Sequence, residues 1–256
     1  MSKIIAISNQ KGGVGKTATA INLSAALASL KRRVLLIDMD VQGNSSRGFG
    51  IDITLVNNSI FDVLIGKINI NKSIKKTMVK DLDIIPSKPI ITTLESYINK
   101  NEQNSYLIFK KCLGDLESEY DYIIVDCPPS LGFLTLNVLV AANTVLIPVQ
   151  CEYFATEAIT QILSSVSRIQ SQYNPELGIE GFLLTMYDSK SSFADEICDQ
   201  VRGLFKENTF LTRIPRNVSI PESNAKGMPV TLFRPTSSGA LAYISLAKEV
   251  IDHEER

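Results

Sequence analysis

Histidine is almost absent from this chain: His253 is the single one in 256 residues. One imidazole near a polar end excludes histidine-based catalytic triads and any cluster of histidine metal ligands. Cysteine is nearly as scarce, and Cys112, Cys127, Cys151 and Cys198 are scattered without a C-x-x-C pair. That spacing argues against a zinc, disulfide or iron–sulfur framework and reads as reduced thiols in a cytosolic core. No stretch of about eighteen uninterrupted apolar residues occurs, so no transmembrane helix and no membrane partner are expected. Met1-Ser2-Lys3 runs straight into an apolar segment without a leader pattern, and the expectation is a cytoplasmic protein. Basic residues are not in excess either: the formal net charge is −1. The molecule as a whole is therefore not a polycation, and any contact with DNA must come from a local patch.

What the chain has is alternation, with 45% hydrophobic residues available for a core. Short apolar runs bounded by turns recur at Ile4–Ile7, Val34–Ile37, Leu82–Ile85, Tyr122–Val125, Val145–Val149, Gly181–Met186 and Phe210–Ile214. Between them lie longer helical patterns, among them Leu131–Ala142, Thr156–Gln172, Phe193–Phe205 and Ser238–Ile251. Near-continuous apolar strands alternating with helices predict an α/β fold whose mostly parallel sheet is covered by helices on both faces. No repeat or low-complexity linker divides it, so residues 1–256 read as a single domain. Two polar stretches stand out. Lys67, Lys72, Lys75, Lys76 and Lys80 form either a basic contact surface or a solvated face. The segment Asn99–Ser105 reads as a loop.

The strongest local signal is Lys11-Gly12-Gly13-Val14-Gly15-Lys16-Thr17, directly behind the first apolar run. Ile21, Leu23, Leu27 and Leu30 follow at helical spacing, so a strand feeds a glycine-rich loop that opens a helix near Thr17. Glycines let the backbone approach phosphate oxygens, and the helix N-terminus adds N–H donors and a favourable dipole. Lys16 is placed to reach terminal phosphates and Thr17 to ligate Mg²⁺. Lys11 is a second lysine that most such loops do without. Asp38 and Asp40 end one apolar strand, and Asp126 ends another. Carboxylates at the C-terminal ends of parallel strands sit where α/β folds do ligand chemistry. Asp126 reads as completing a Mg²⁺ shell, and Asp40 as either orienting the attacking water or holding hydrated Mg²⁺. For Asp38 two readings stand, a metal-shell carboxylate or a turn and helix cap.

Taken in order with Asp38-Met39-Asp40-Val41-Gln42-Gly43-Asn44, Asp126-Cys127-Pro128-Pro129-Ser130, Pro148-Val149-Gln150-Cys151-Glu152 and Ile214-Pro215-Arg216-Asn217, the loop resembles the ParA/Soj chromosome-partition ATPases. These are deviant-Walker P-loop NTPases of the group that also contains MinD. The resemblance covers essentially the whole chain and suggests the short chromosomal type. It implies ATP and Mg²⁺ as cofactors, with Gly12, Gly13, Val14, Gly15, Lys16, Thr17 and Ala18 around the phosphates. Pro215 and Asn217 would lie near the adenine. It further implies that Lys11 reaches across a nucleotide-sandwich dimer, that Asp40 positions water, and that Lys16 holds phosphate in its own subunit. The dimer would bind double-stranded DNA without sequence preference on the nucleoid. A ParB-type partner would stimulate hydrolysis.

The chain departs from that pattern at Ala18, where relatives often carry threonine, and at Ser219, where they often carry arginine. At Lys190 it keeps a cation in place of an arginine. Lys190, Arg202, Lys206, Arg213 and Arg216, all near the ends of late elements, are the candidate DNA contacts. Two other functions compete. A MinD-like membrane switch needs a basic amphipathic end, whereas this one runs Asp252-His253-Glu254-Glu255-Arg256. A metabolic enzyme on the same fold, such as an amide-forming synthetase, needs a substrate pocket that no sequence pattern marks.

Overall fold

Isoleucine, leucine and valine fill both faces of the central strands, which forces helices onto both sides of a single sheet. A computed structural model describes residues 2–89, 105–114, 116, 118–152 and 155–254. Its strands are β1 (Lys3–Ile7), β2 (Val34–Asp38), β3 (Lys75–Lys76), β4 (Leu82–Ile85), β5 (Tyr122–Asp126), β6 (Thr144–Gln150), β7 (Gly178–Tyr187) and β8 (Thr209–Pro215). They form one eight-stranded sheet in the order β3-β4-β2-β5-β1-β6-β7-β8. Every described pairing is parallel except the short β3–β4 edge.

Alternate residues of each strand feed opposite cores. Ile4, Ala6, Leu35, Ile37, Ile123 and Val125 face one layer. That layer contains α3 (Ile60–Leu64), α4 (Ile108–Leu113), α5 (Phe133–Ala141), α6 (Ala155–Gln172) and α7 (Ser192–Phe205). Ile5, Ile7, Val34, Leu36 and Ile124 face the other, built on α1 (Lys16–Ser29) and α10 (Ser238–Glu254). Of the short helices α2 (Asn44–Arg47), α8 (Ser219–Ala225) and α9 (Val230–Phe233), the last two join the second layer through Ile220 and Val230.

The α/β expectation holds, and each predicted strand and helix is present. β7 is longer than predicted, starting at Gly178 rather than Gly181. The expectation missed β3, an exposed two-residue lysine edge that pairs antiparallel with β4. Lysine on an edge strand discourages a further chain from adding to the sheet. Most of the predicted loop Asn99–Ser105 lies outside the described residues.

Candidate functional site

β1 lies between β5 and β6, so the strand order reverses around it and a crevice opens at its C-terminal end. The glycine-rich loop leaves β1 at this point. Asn9 anchors it, donating to the Pro148 carbonyl at 2.7 Å and accepting from the Lys11 amide at 3.0 Å. Thr185 on β7 donates to the Val14 carbonyl at 2.9 Å, tying the far side of the loop. Gly15, at φ 91°, turns the chain into α1, a backbone angle that favours glycine. The loop is thus held from three strands, with Gly12 and Gly13 exposed.

The two lysines part company. Lys16 is buried at 8% exposure, and its Nζ donates back to the Lys11 carbonyl at 3.0 Å. Burial lowers its pKa, while Asp126, Cys127 and Asp40 nearby favour its charge. Lys11 points outward and meets Glu152 at 2.6 Å, both side chains 45% exposed.

Register brings the carboxylates together, because Asp38 of β2 and Asp126 of β5 are direct neighbours across a parallel pair. Both are fully buried. Burial first, and then the Asp126 charge, push Asp38 up to about 8. Burial also pushes Asp126 up to about 6, against the Ser45 and Thr17 hydroxyls and Lys16. Asp38 accepts from the Ser46 amide at 2.7 Å and the Ser46 hydroxyl at 2.6 Å. It also accepts from the Asp40 amide at 3.3 Å. Through these bonds Asp38 holds the loop from Asp40 to α2 in place, the contacts expected of a turn and helix cap.

Asp126 takes the Ser45 hydroxyl on one oxygen at 2.7 Å. Its Oδ1 is buried with no partner among the described residues. An orphaned carboxylate oxygen beside Thr17 and Lys16 is a poor place for nothing and a good place for a hydrated divalent cation, whose ligands are oxygens. The donor set fits Mg²⁺. Asp40 is 8% exposed and accepts from the Gln42 amide at 3.0 Å, and its charge acts on both Lys16 and Asp126.

Beside the loop a cavity of about 340 Å³ is lined by Gly15, Ala18, Pro215, Arg216, Asn217 and Asn224, with Ile214, Ile220 and Tyr243 among its apolar walls. That volume suits a small ligand. Asn217 serves the wall, accepting from the Ser219 amide at 2.7 Å and donating to the Ser238 hydroxyl at 2.7 Å. Sequence reasoning missed Asn224, whose Oδ1 is buried without a partner among the described residues. It also missed Thr185. Neither sits in a motif, and only the packing of α8 and β7 against the loop reveals them.

The five cations proposed for DNA differ. Lys190, Lys206 and Arg216 are exposed. Arg202 is half-buried and donates to the Leu211 carbonyl at 2.8 Å. Arg213 bonds Asp195 at 2.9 Å and lies 4.7 Å over the Tyr187 ring, so its charge is engaged within the fold. In the lysine-rich stretch, Lys67 meets Asp62 at 3.5 Å and Lys76 meets Asp83 at 2.8 Å, while all five lysines face solvent.

Residues 2–179 match the family described as AAA domain. The chromosome partitioning protein ParA of Myxococcus xanthus is 43% identical over 254 residues, 99% of this chain and 89% of that protein. The sporulation initiation inhibitor protein Soj of Bacillus subtilis is 44% identical over 250 residues, 98% of each chain. Among solved structures, cobyrinic acid a,c-diamide synthase from Mycobacterium smegmatis with bound ATP analogue and magnesium superposes with a TM-score of 0.87. That chain is 31% identical, with 100% of this chain and 96% of it covered. The septum site-determining protein MinD of Pyrococcus horikoshii, complexed with Mg-ADP, gives 0.80 at 27% identity, covering 99% of this chain and 98% of that one.

Proposed function

The chain belongs to the ParA/Soj family of chromosome-partition P-loop ATPases, and from that premise we propose that it is an ATP-dependent dimerising switch that binds DNA non-specifically and drives partition. The observation that carries this reading is the divided fate of the loop's lysines: Lys16 turned into the site, Lys11 turned out.

ATP lies with its base in the cavity beside α8 and its phosphates along Gly12–Ala18. Asn224 offers its unpartnered oxygen to the exocyclic amine of the base. Lys16 exchanges the Lys11 carbonyl for phosphate oxygens. Thr17 and Asp126 would hold Mg²⁺, which would neutralise developing phosphate charge. Asp38 stands behind them and fixes the Asp40 loop. Asp40 orients the attacking water.

Lys11 lies too early in the loop to be needed for the contacts Lys16 makes, and acts on the nucleotide of a second subunit. Dimerisation doubles the cations on one surface, for which Lys190, Arg202, Lys206 and Arg216 are the candidates, with Arg213 as a strut. Because salt dependence scales with the phosphates contacted, a dimer holds a duplex where a monomer does not. A ParB-type partner stimulates hydrolysis and so release.

The membrane reading is weakened by α10. Its Tyr243, Leu246, Ala247 and Val250 are buried in the core beside α1, and Glu249 accepts from the Leu211 and Thr212 amides. No described helix is long and apolar enough to cross a membrane.

The test is retention of a random-sequence duplex with ATP, ADP or no nucleotide at several salt concentrations. Retention with ATP alone, falling steeply with salt and lost in Lys190→Glu, is expected. Equal retention with ADP refutes the switch.

A further inference from the structure

Two thiols face each other, one in the Pro148–Glu152 segment after β6 and the other in α7. Cys151, just past β6, is half-buried, and Cys198, in the middle of α7, is fully buried. Their sulfurs are 3.6 Å apart across 47 residues of sequence. Arg213 and Arg202 both act on the pair, and Asp195, the ion-pair partner of Arg213, acts against them. The hydrogen bond from Cys151, helped by these guanidiniums and opposed by burial, pulls Cys198 down to about 7. Cys151, which shares that hydrogen bond and is partly buried, is pushed up. Exposure divides the roles: Cys151 is the sulfur an oxidant can reach, and buried Cys198 is the neighbour in place to resolve it.

We propose that Cys151 and Cys198 are an oxidation site, joined by peroxide into a disulfide that fastens the loop after β6 to α7 and withholds Lys11 from a second subunit. Cys151 reacts first, its proton passing to solvent: the sulfur takes one peroxide oxygen as the O–O bond breaks, a sulfenic acid forms, and the departing hydroxide takes up a proton as one water. Cys198 gives up its own proton and its sulfur then attacks that of Cys151. The S–O bond breaks, and the departing hydroxide takes the remaining proton as a second water. Two thiols lose two electrons and two protons in all, and one peroxide is reduced to two waters.

The sulfurs must close from 3.6 Å to about 2.05 Å. The movement falls on the Cys151 side, because Cys198 is packed in mid-helix while β6 has already ended. Glu152 is the next residue and holds the Lys11 ammonium at 2.6 Å. Drawing Cys151 toward α7 displaces this carboxylate and the lysine it orients. The consequence for assembly rests on the trans role of Lys11 proposed above, whereas the thiol chemistry does not.

The test treats the full chain with hydrogen peroxide, alkylates the remaining thiols, maps the peptides by mass, and follows assembly with ATP by light scattering. One linked peptide pair, two hydrogens lighter than its separate parts, is expected to join Cys151 to Cys198. Cys112 and Cys127 should stay alkylatable, and dithiothreitol should reverse the link. Cys151→Ala and Cys198→Ala should each prevent it, the former at a half-exposed position where folding is not at stake. The oxidised chain should bind ATP with unchanged affinity yet fail to assemble until reduced. A link through Cys112 or Cys127, a bond between two chains, or sulfinic acid on one cysteine overturns the proposal. So does equal assembly of oxidised and reduced chains. Failure of the reduced chain to assemble would instead strike the trans reading, and the peptide map would then decide the thiol chemistry alone.

Discussion

Lys16 and Lys11 are five residues apart on one loop, and their surroundings assign them different energies. Lys16 is buried at 8% exposure against a backbone carbonyl. A phosphate exchanges a neutral acceptor for a charged one, and charged hydrogen bonds contribute about 1.5–3 kcal/mol. Lys16→Ala is therefore expected to weaken ATP binding by about 10- to 150-fold, read by titrating a fluorescent ATP analogue. Lys11→Ala should bind ATP normally and remain monomeric in light scattering, since its partner in the isolated chain is the solvent-facing Glu152. Asp40→Ala should keep ATP and lose hydrolysis by about 10²-fold or more in single-turnover assays, as expected for loss of a group that orients the nucleophile. Hydrolysis at the parental rate would remove Asp40 from that role. The loop and both strand-end aspartates were legible in sequence because their chemistry is written in consecutive residues. Asn224 and Thr185 were not, because they reach the site only through the packing of α8 and β7.

At the scale of elements, two glycines show how closely the site's supports are packed. Gly50 follows α2 and Gly227 follows α8, at φ 73° and 67°. A Cβ on residue 227 would lie 2.7 Å from the Gly50 Cα. That neighbour is backbone, with no rotamer to yield. Gly227→Ala is expected to cost about 1–3 kcal/mol in urea unfolding, from overpacking and a left-handed backbone together. Gly203 in α7 is the contrast: nothing lies within 4 Å of an added Cβ, and its φ is helical. Gly203→Ala should stabilise by about 0.5–1 kcal/mol, because alanine suits a helix interior better. Strands buried on both faces read clearly as apolar runs, which is why β2, β4, β5 and β6 fell within a residue or so of expectation. β3 carries only Lys75 and Lys76, and hydrogen bonds to β4 define it where no side-chain pattern does. α2 was equally illegible. Its place is set by Asp38, which bonds the Ser46 amide from a neighbouring strand.

At the scale of the whole molecule, three tyrosines connect the sheet to its surroundings, and their protons report on the fold. The Tyr120 phenol donates to Asp83 on β4 at 2.9 Å, and the Tyr122 phenol donates to Glu254 at the end of α10. Tyr243 is buried in the core beside α1 and lines the nucleotide cavity. Burial raises all three. Asp83 and Glu254 raise the first two further, while Tyr243 rises to about 12 with Thr19 opposing. In the unfolded chain each phenol ionises near pH 10. Above that pH the folded state holds protons that the unfolded state has released, so stability falls as pH rises from about 10 toward the folded values. Alkaline titration of phenolate absorbance should therefore show at least three of the eight tyrosines ionising only as the far-ultraviolet circular dichroism is lost. ATP with Mg²⁺ binds the folded state alone. At about 100 times its dissociation constant it should add about 2.7 kcal/mol and move this cooperative step to higher pH. Lys16→Ala should abolish the nucleotide-induced part of that shift and leave the tyrosine count unchanged. Ionisation of all eight near pH 10 in a chain that keeps its circular dichroism would show that these phenols do not tie the layers together. A nucleotide shift that survives Lys16→Ala would place ATP somewhere other than the loop after β1.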